Sequence, residues 1–122
     1  MADEIRISFS LSVQNGNFRD SYNPGSLSID QATIGRGGYV QSIGTSEEVV
    51  VFGDVVTAGL LVLRNLDEVN YITYGPELTG AMVELGKLNP GDVAFLRLKP
   101  AVVMRAKAHT LACKLEVRLY ED

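Results

Sequence analysis

The sequence contains no tryptophan, one cysteine and one histidine among its 122 residues. With Cys113 alone, no disulfide can form within the chain, and the apolar alternation around it predicts a buried, small hydrophobic residue. A zinc or iron site needs several converging His, Cys or carboxylate ligands, and His109 with Cys113 supplies only two. We therefore expect no metal site and no cofactor, with His109 in a loop.

Long apolar segments are also missing from the chain. The longest uninterrupted ones, Val49–Phe52 and Leu60–Leu63, are far shorter than the roughly 20 residues that a membrane-spanning helix needs. The N-terminal residues Met1–Glu4 are acidic and lack the apolar segment of a signal peptide. These features predict a protein that does not act in a membrane.

Positive charge is sparse, since the formal net charge is −4 and the 11 basic residues are scattered. The densest basic stretch, Arg97–Arg118, has the alternating spacing of the solvated face of two strands. Phosphate binding needs clustered Lys and Arg, so nucleic acid is not an expected partner.

Apolar residues occupy alternate positions near both ends of the chain. They do so from Ile5 to Val13, with polar residues between them, and again from Leu111 to Leu119. A period of two over such lengths predicts half-buried strands, with the odd-numbered side chains forming the interior of stacked sheets.

Turn signals separate short β-forming segments along the rest of the chain. The strongest is Asn89-Pro90-Gly91-Asp92, in which Pro and Gly suit the two central positions of a turn. No segment has convincing helical periodicity. Evenly spaced strands of this kind predict an all-β fold, a jelly-roll-like antiparallel β-sandwich of about eight to ten strands, as a single domain over residues 1–122.

One polar loop is predicted around residues 15–26, where periodicity is absent. Phe18 and Tyr22 lie in it without an evident strand to bury them. Together with Tyr39, they are the candidate interface residues, because aromatic side chains are enriched at interfaces. The alternative is that the loop aromatics fold back over the end of the core.

Catalytic motifs are not evident, and the chain is predicted not to be an enzyme. It has no Gly-x-Ser-x-Gly nucleophile elbow, and Gly35–Gly38 lacks the Lys-Ser/Thr of a phosphate-binding loop. The turn at 89–92 is similar to those of cupins, but residues 92–99 contain none of the histidines that a cupin metal site requires. A pair of catalytic carboxylates is left open by the 15 acidic residues, although the adjacent acid pairs lie where solvated acids are expected.

The C-terminal two-thirds resembles small structural proteins encoded in the genomes of tailed phages. The resemblance begins at Asn65-Leu66-Asp67-Glu68-Val69-Asn70-Tyr71, followed by Gly75 and a Leu-x-Pro-Gly turn at Leu88–Gly91. An apolar strand, Ala94–Leu98, and a strand that runs into acidic residues, Leu115–Asp122, complete it. These motifs are signatures of turns and strands, not of a chemical site.

The resemblance implies a virion component, most simply a capsid decoration (cement) protein. Such a protein would bind the major capsid protein on the capsid surface as a homo-oligomer, a trimer, after assembly in the host cytoplasm. Two alternatives stay open: a tail, fibre or head-fibre attachment domain of the virion, and a carbohydrate-binding β-sandwich module.

Overall fold

The computed structural model describes residues 4–122, and every regular element in this range is a β-strand. The described residues form thirteen strands, and every pair of neighbouring strands among them is antiparallel, so the predicted all-β class is confirmed. The strands are more numerous than expected because several contain only two or three residues. The chain divides into two compact units, one ending at Ala32 and one comprising Thr33–Asp122.

The first unit is a β-hairpin arm made of two nested strand pairs. Its strands are β1 (Ile5–Ser8), β2 (Leu11–Asn15), β3 (Phe18–Tyr22) and β4 (Ser26–Ile29). β2 pairs with β3, and β1 pairs with β4 further from the turn. We call residues 5–29 the hairpin arm.

The hairpin arm differs from the predicted polar loop at residues 15–26. Asn15 and Phe18 face each other across a two-residue turn, and Gly16 has a φ of 60°. Glycine at the first central position suits the type II′ turn, whose twist matches that of the flanking strands. The chain therefore reverses at Gly16 and continues as a strand.

Burial in the arm also departs from expectation. The alternation holds along β1, where Ile5 and Ile7 are half-buried, but Phe9 and Leu11 are 37% and 50% exposed. The prediction that odd-numbered residues near the N-terminus line a sheet interior is therefore wrong for this segment. A hairpin of two strands has no second layer to cover its apolar face.

The second unit contains two antiparallel sheets. One has the strand order β11-β7-β13-β5, and the other has the order β10-β8-β12-β6, with β9 paired to β8. The strands are β5 (Arg36–Ile43), β6 (Glu48–Val49), β7 (Ala58–Asn65), β8 (Ile72–Leu78), β9 (Ala81–Met82), β10 (Gly86–Leu88), β11 (Val93–Arg97), β12 (Met104–Ala108) and β13 (Cys113–Glu121).

Both sheets of the second unit contribute to one apolar core. Along β13, Cys113, Leu115, Val117 and Leu119 are at most 1% exposed, and the residues between them face outwards. The alternation predicted for this end of the chain is therefore confirmed, including the buried cysteine. Opposite them, the second sheet buries Ile72, Leu88, Met104, Ala106 and Ala108.

Candidate interaction surfaces

One face of the hairpin arm is apolar and uncovered. Opposed residues of an antiparallel pair share a face, as do alternate residues of one strand. The register of β2 and β3 therefore gathers six side chains on one side, which we call the arm face: Leu11, Val13, Asn15, Phe18, Asp20 and Tyr22.

The arm face exposes large side chains to solvent. Phe18 is 61% exposed, Tyr22 55% and Leu11 50%, and the Tyr22 ring lies 6.1 Å from that of Phe9. The opposite side of the hairpin carries Ser12, Gln14, Arg19 and Ser21. Full burial of a Leu or Phe side chain contributes about 1.5–3 kcal/mol, so this face gains free energy from any apolar partner.

Tyr39 lies in the second unit and differs from the other two candidates. It opposes Val117 on β13 and packs against the core, and its hydroxyl is buried without a hydrogen-bond partner among the described residues. This burial raises the pKa of Tyr39 to about 12. The structure thus brings Phe18 and Tyr22 onto one face, while the Tyr39 ring belongs to the packing of the sandwich.

The edge of the sheet at β5 is open. The Glu121 N–H donates to the Gly35 carbonyl, and the Leu66 N–H donates to the Lys114 carbonyl. Because bonding alternates along an antiparallel pair, odd-numbered β5 residues bond to β13. The even-numbered residues direct their N–H and C=O groups away from β13, where the sheet order of the described chain ends. All four are exposed: Arg36, Gly38, Val40 and Ser42.

A hollow of about 290 Å³ adjoins this edge on the outer face of the sheet. Gly38 lines the hollow and leaves it unfilled, because it has no side chain. A Cβ added there would meet only the Val117 carbonyl oxygen, 3.7 Å away. Arg36, Arg118 and Glu116 line it, together with Val40, which is 55% exposed. The hollow is therefore positively charged overall and open to solvent.

The inner side of the β5 edge is occupied. The Gln41 side chain donates to the Val49 carbonyl and accepts from the Val51 N–H. A Cβ added at Gly37 would lie 3.1 Å from the Val55 side chain. The segment 49–55 therefore packs beneath β5, and new contacts at this edge can form only with the outer face.

A second apolar surface lies at the end of the other sheet. A groove of about 370 Å³ is lined by Val49, Val51, Phe52, Val102 and Val103, of which Val51 is 51% exposed. The Gln41 bonds occupy the backbone of Val49 and Val51, so the groove offers side-chain contacts. We call it the valine groove.

His109 and Cys113 do not form a reactive pair. The His109 ring stacks on Tyr71 at 4.3 Å, and Nδ1 lies 2.8 Å from the Tyr71 hydroxyl. The Cys113 thiol is buried, and this burial, followed by the charge of Asp67, raises its pKa. In residues 4–122, no group of three or more His, Cys, Asp or Glu side chains is arranged to hold a metal ion.

Three basic residues of the C-terminal stretch are paired with acids. Arg97 lies 3.3 Å from Asp122, and Lys107 lies 3.7 Å from Glu84. Arg105 donates to Glu77 in a half-buried ion pair. These partners reduce the positive potential in the stretch that the sequence singled out as densest in basic residues.

The sequence revealed the aromatics of the arm face but not its geometry. A hairpin signal was present, because the Asn15-Gly16-Asn17 turn follows a segment with apolar residues at alternate positions and precedes Phe18 and Tyr22, which are four residues apart and so share a strand face. The β5 edge and the valine groove had no such signal, because both depend on which strands become neighbours.

Comparisons with models of protein families, with curated proteins and with solved structures find no match to this chain. Residues 4–122 include no helix with the length and apolar character needed to cross a membrane.

Proposed function

We propose that this chain is a structural virion protein, a capsid decoration protein that binds the major capsid protein and stabilises the phage head. The observation that carries the proposal is the uncovered arm face. It presents Leu11, Phe18 and Tyr22 at 50% exposure or more on a hairpin that cannot bury them itself. Contiguous exposed apolar surface is typical of a site for another protein.

The physical basis of the function is preferential binding to the assembled shell. A protein that binds the closed arrangement of capsid subunits but not the loosened one stabilises the closed arrangement by mass action. Each copy needs to add only a few kcal/mol, which burial of two or three half-exposed apolar side chains provides at about 1 kcal/mol each. The valine groove gives the same chain a second contact.

The fold supports a structural role of this kind. Counting the eight strands of the two sheets in chain order without β9, the first, eighth, third and sixth form one sheet. The second, seventh, fourth and fifth form the other. This alternation between sheets supports the jelly-roll-like arrangement, which offers a rigid platform for surface contacts.

Co-sedimentation with capsids tests the proposal. Shells assembled from the major capsid protein of the same genome are centrifuged with the purified chain, and we expect the chain to pellet at saturable stoichiometry. The variant Leu11→Ser with Phe18→Ser should bind at least about tenfold more weakly, because two apolar contacts are lost.

The matched control is Ser12→Ala with Gln14→Ala on the opposite side of the same hairpin, which should bind as the wild type does. A wild-type chain that stays in the supernatant at saturating shell concentration would refute the proposal. Equal loss in both double variants would show that the arm face does not carry the contact.

The structure gives little support to the carbohydrate-binding alternative at Tyr71. A sugar platform needs an aromatic face open to solvent, and His109 stacks on the Tyr71 ring while the Lys87 ammonium lies 5.3 Å from its centroid. Sugar-dependent retention on a glycan array would revive this alternative.

A further inference from the structure

We propose that β3 of one copy adds to the free edge of β5 in a second copy, as a parallel strand, so that the chains assemble head to tail. The inference goes beyond the proposed function, because no capsid takes part in it. It uses the strand edge of the hairpin arm and brings Asp20 and Tyr22 of the arm face beside the second copy, while Leu11 and Val13 on β2 lie away from this edge.

The acceptor is an edge strand without the usual protection. Natural sheets shield their edges with proline, bulges or repeated charge, because unpaired N–H and C=O groups bind other strands. β5 contains no proline and pairs with β13 in unbroken register from Arg36 to Ile43. Its only charged residue, Arg36, stands at its first position, so four outward positions in succession can accept a strand.

The donor is β3, which is exposed over its whole length. In a hairpin closed by a two-residue turn, the flanking residues Asn15 and Phe18 form a hydrogen-bonded pair. Bonding then alternates, so Asp20 and Tyr22 also bond to β2. The N–H and C=O groups of Arg19 and Ser21 point away from the hairpin and are positioned to pair with another strand.

In both strands the backbone groups of alternate residues point outwards, and this alternation decides whether β3 and β5 pair in parallel or antiparallel. In an antiparallel pair, the residues that offer outward groups stand opposite each other, which would place Phe18 and Tyr22 on the inner side of β5. That side is already filled by the segment 49–55. In a parallel pair, a residue that offers outward groups bonds to the two residues on either side of the one opposite it. Arg19 and Ser21 would then bond to Gly38, and Phe18, Asp20 and Tyr22 would lie on the open outer face.

Charge favours a second copy as the occupant. On the outer face, Arg118 stands opposite Gly38, which has no side chain to separate it from the added strand. Asp20 of a second copy placed beside Gly38 would therefore lie between Arg36 and Arg118. In the same register Tyr22 lies beside the exposed Val40, and this pairs an aromatic with a β-branched residue.

A head-to-tail interface of this kind joins different surfaces on the two copies. Such interfaces close into rings when the rotation between copies permits, and a ring of three agrees with the expected trimer. In solution and without capsids, we expect the chain to have about three times its mass of 13.2 kDa by light scattering.

Charge reversal tests the pairing. Asp20→Arg and Arg118→Asp should each weaken self-association at least tenfold, and the chain carrying both changes should regain the wild-type mass. Asp54→Arg, an equal charge change at an exposed turn, should leave the mass unchanged. A double variant that stays dissociated would overturn the pairing of Asp20 with Arg118.

Proline substitution tests the strand edges. Ser21→Pro and Val40→Pro each remove an N–H that points away from the neighbouring strand of the same chain, and both should yield monomers that still unfold cooperatively. Val93→Pro, at the opposite edge of the same sheet, should remain oligomeric. An equimolar mixture of the two monomeric variants should form a one-to-one dimer, because one intact interface remains between them.

Other outcomes would overturn the proposal. Wild-type chain that is monomeric at high concentration excludes the interface. Dissociation by Val40→Pro but not by Ser21→Pro would indicate that two β5 edges pair with each other. Because these measurements contain no capsid, self-association can be absent while capsid binding is retained. Capsid binding can likewise be absent while self-association is retained.

Discussion

At the residue scale, Asn65 explains why the Asn-Leu-Asp-x-x-Asn-Tyr stretch has its composition. Its side chain is fully buried and donates to the carbonyls of Asn70 and Leu88, at 2.9 and 3.0 Å, and accepts from the Asp67 N–H. The stretch therefore forms a hydrogen-bond network that fixes the connection between β7 and β8, in agreement with its interpretation as a turn signature.

Replacing Asn65 by Ala should destabilise the fold by about 2–4 kcal/mol, because several backbone groups lose their partner and a cavity remains. Urea unfolding at neutral pH measures this loss. Asn89→Ala, at an exposed turn, is the control and should cost less than about 1 kcal/mol. A loss of similar size in both variants would contradict this role of the Asn65 hydrogen bonds.

Asp67 makes the same connection sensitive to acid. Its carboxylate accepts the N–H groups of Asn70 and Val69, and these hydrogen bonds hold its pKa below the usual value of an aspartate. A folded pKa below the unfolded one contributes stability above the unfolded pKa, and this contribution disappears as pH falls through the folded pKa. Asp67→Asn should therefore be less stable than the wild type at pH 7 and should approach it as the pH falls below the unfolded pKa of about 3.9.

Chemical unfolding of both proteins across this pH range measures the effect. Glu68→Gln, which neutralises the adjacent acid, should keep the pH dependence of the wild type. A constant difference between Asp67→Asn and the wild type from pH 7 to pH 3 would contradict the role of the carboxylate.

At the scale of elements, the segment between β9 and β10 runs antiparallel to β8 at very close range. The Leu85 N–H donates to the Tyr74 carbonyl and the Val83 N–H to the Pro76 carbonyl, on either side of Gly75. A Cβ added at Gly75 would lie 1.8 Å from the Val83 carbonyl oxygen. A residue with any side chain at this position would force the two segments apart.

Gly75→Ala should therefore lower the free energy of unfolding by about 3 kcal/mol or more, or prevent folding, because backbone cannot move aside as a flexible side chain can. Gly38→Ala is the matched control, because a Cβ there would make only an ordinary van der Waals contact, and it should change stability by less than about 1 kcal/mol. Thermal unfolding followed by circular dichroism compares them. Equal stability of the two variants would be incompatible with this close approach.

At the scale of the whole molecule, the proposals assign different parts of the hairpin arm to different partners. In these proposals, Leu11 and Phe18 of the arm face bind the capsid, and the β3 edge with Asp20 binds a second copy. A monomeric Ser21→Pro chain should therefore still bind capsids, but about 10²–10⁴-fold more weakly than the trimer, since only multivalency is lost. Capsid titrations with the two proteins measure this ratio. Unchanged affinity would mean that copies bind independently.

The sequence by itself determined many of the strand-forming segments and which of their side chains share a face, although residues 18–22, expected in a loop, form β3. The alternation around Cys113 predicted the buried face of β13, and the turn at Asn89–Asp92 separates β10 from β11 as expected. Local backbone sterics and the period of two suffice for such features. The C-terminal acids, in contrast, were expected to be solvated, yet the Glu121 carboxylate accepts the N–H groups of Val56 and Thr57.

Only the tertiary structure decided which apolar faces are covered. Ile5 to Val13 alternates as clearly as Leu111 to Leu119, but the first stretch lies in a two-stranded hairpin and the second in the middle of a sandwich. A period of two fixes which side chains share a face, whereas covering that face requires a second layer from residues distant in the chain. For the same reason, the arm face, the open β5 edge and the hollow at Gly38 could not be predicted from the sequence, because each depends on which strands pair in the folded chain.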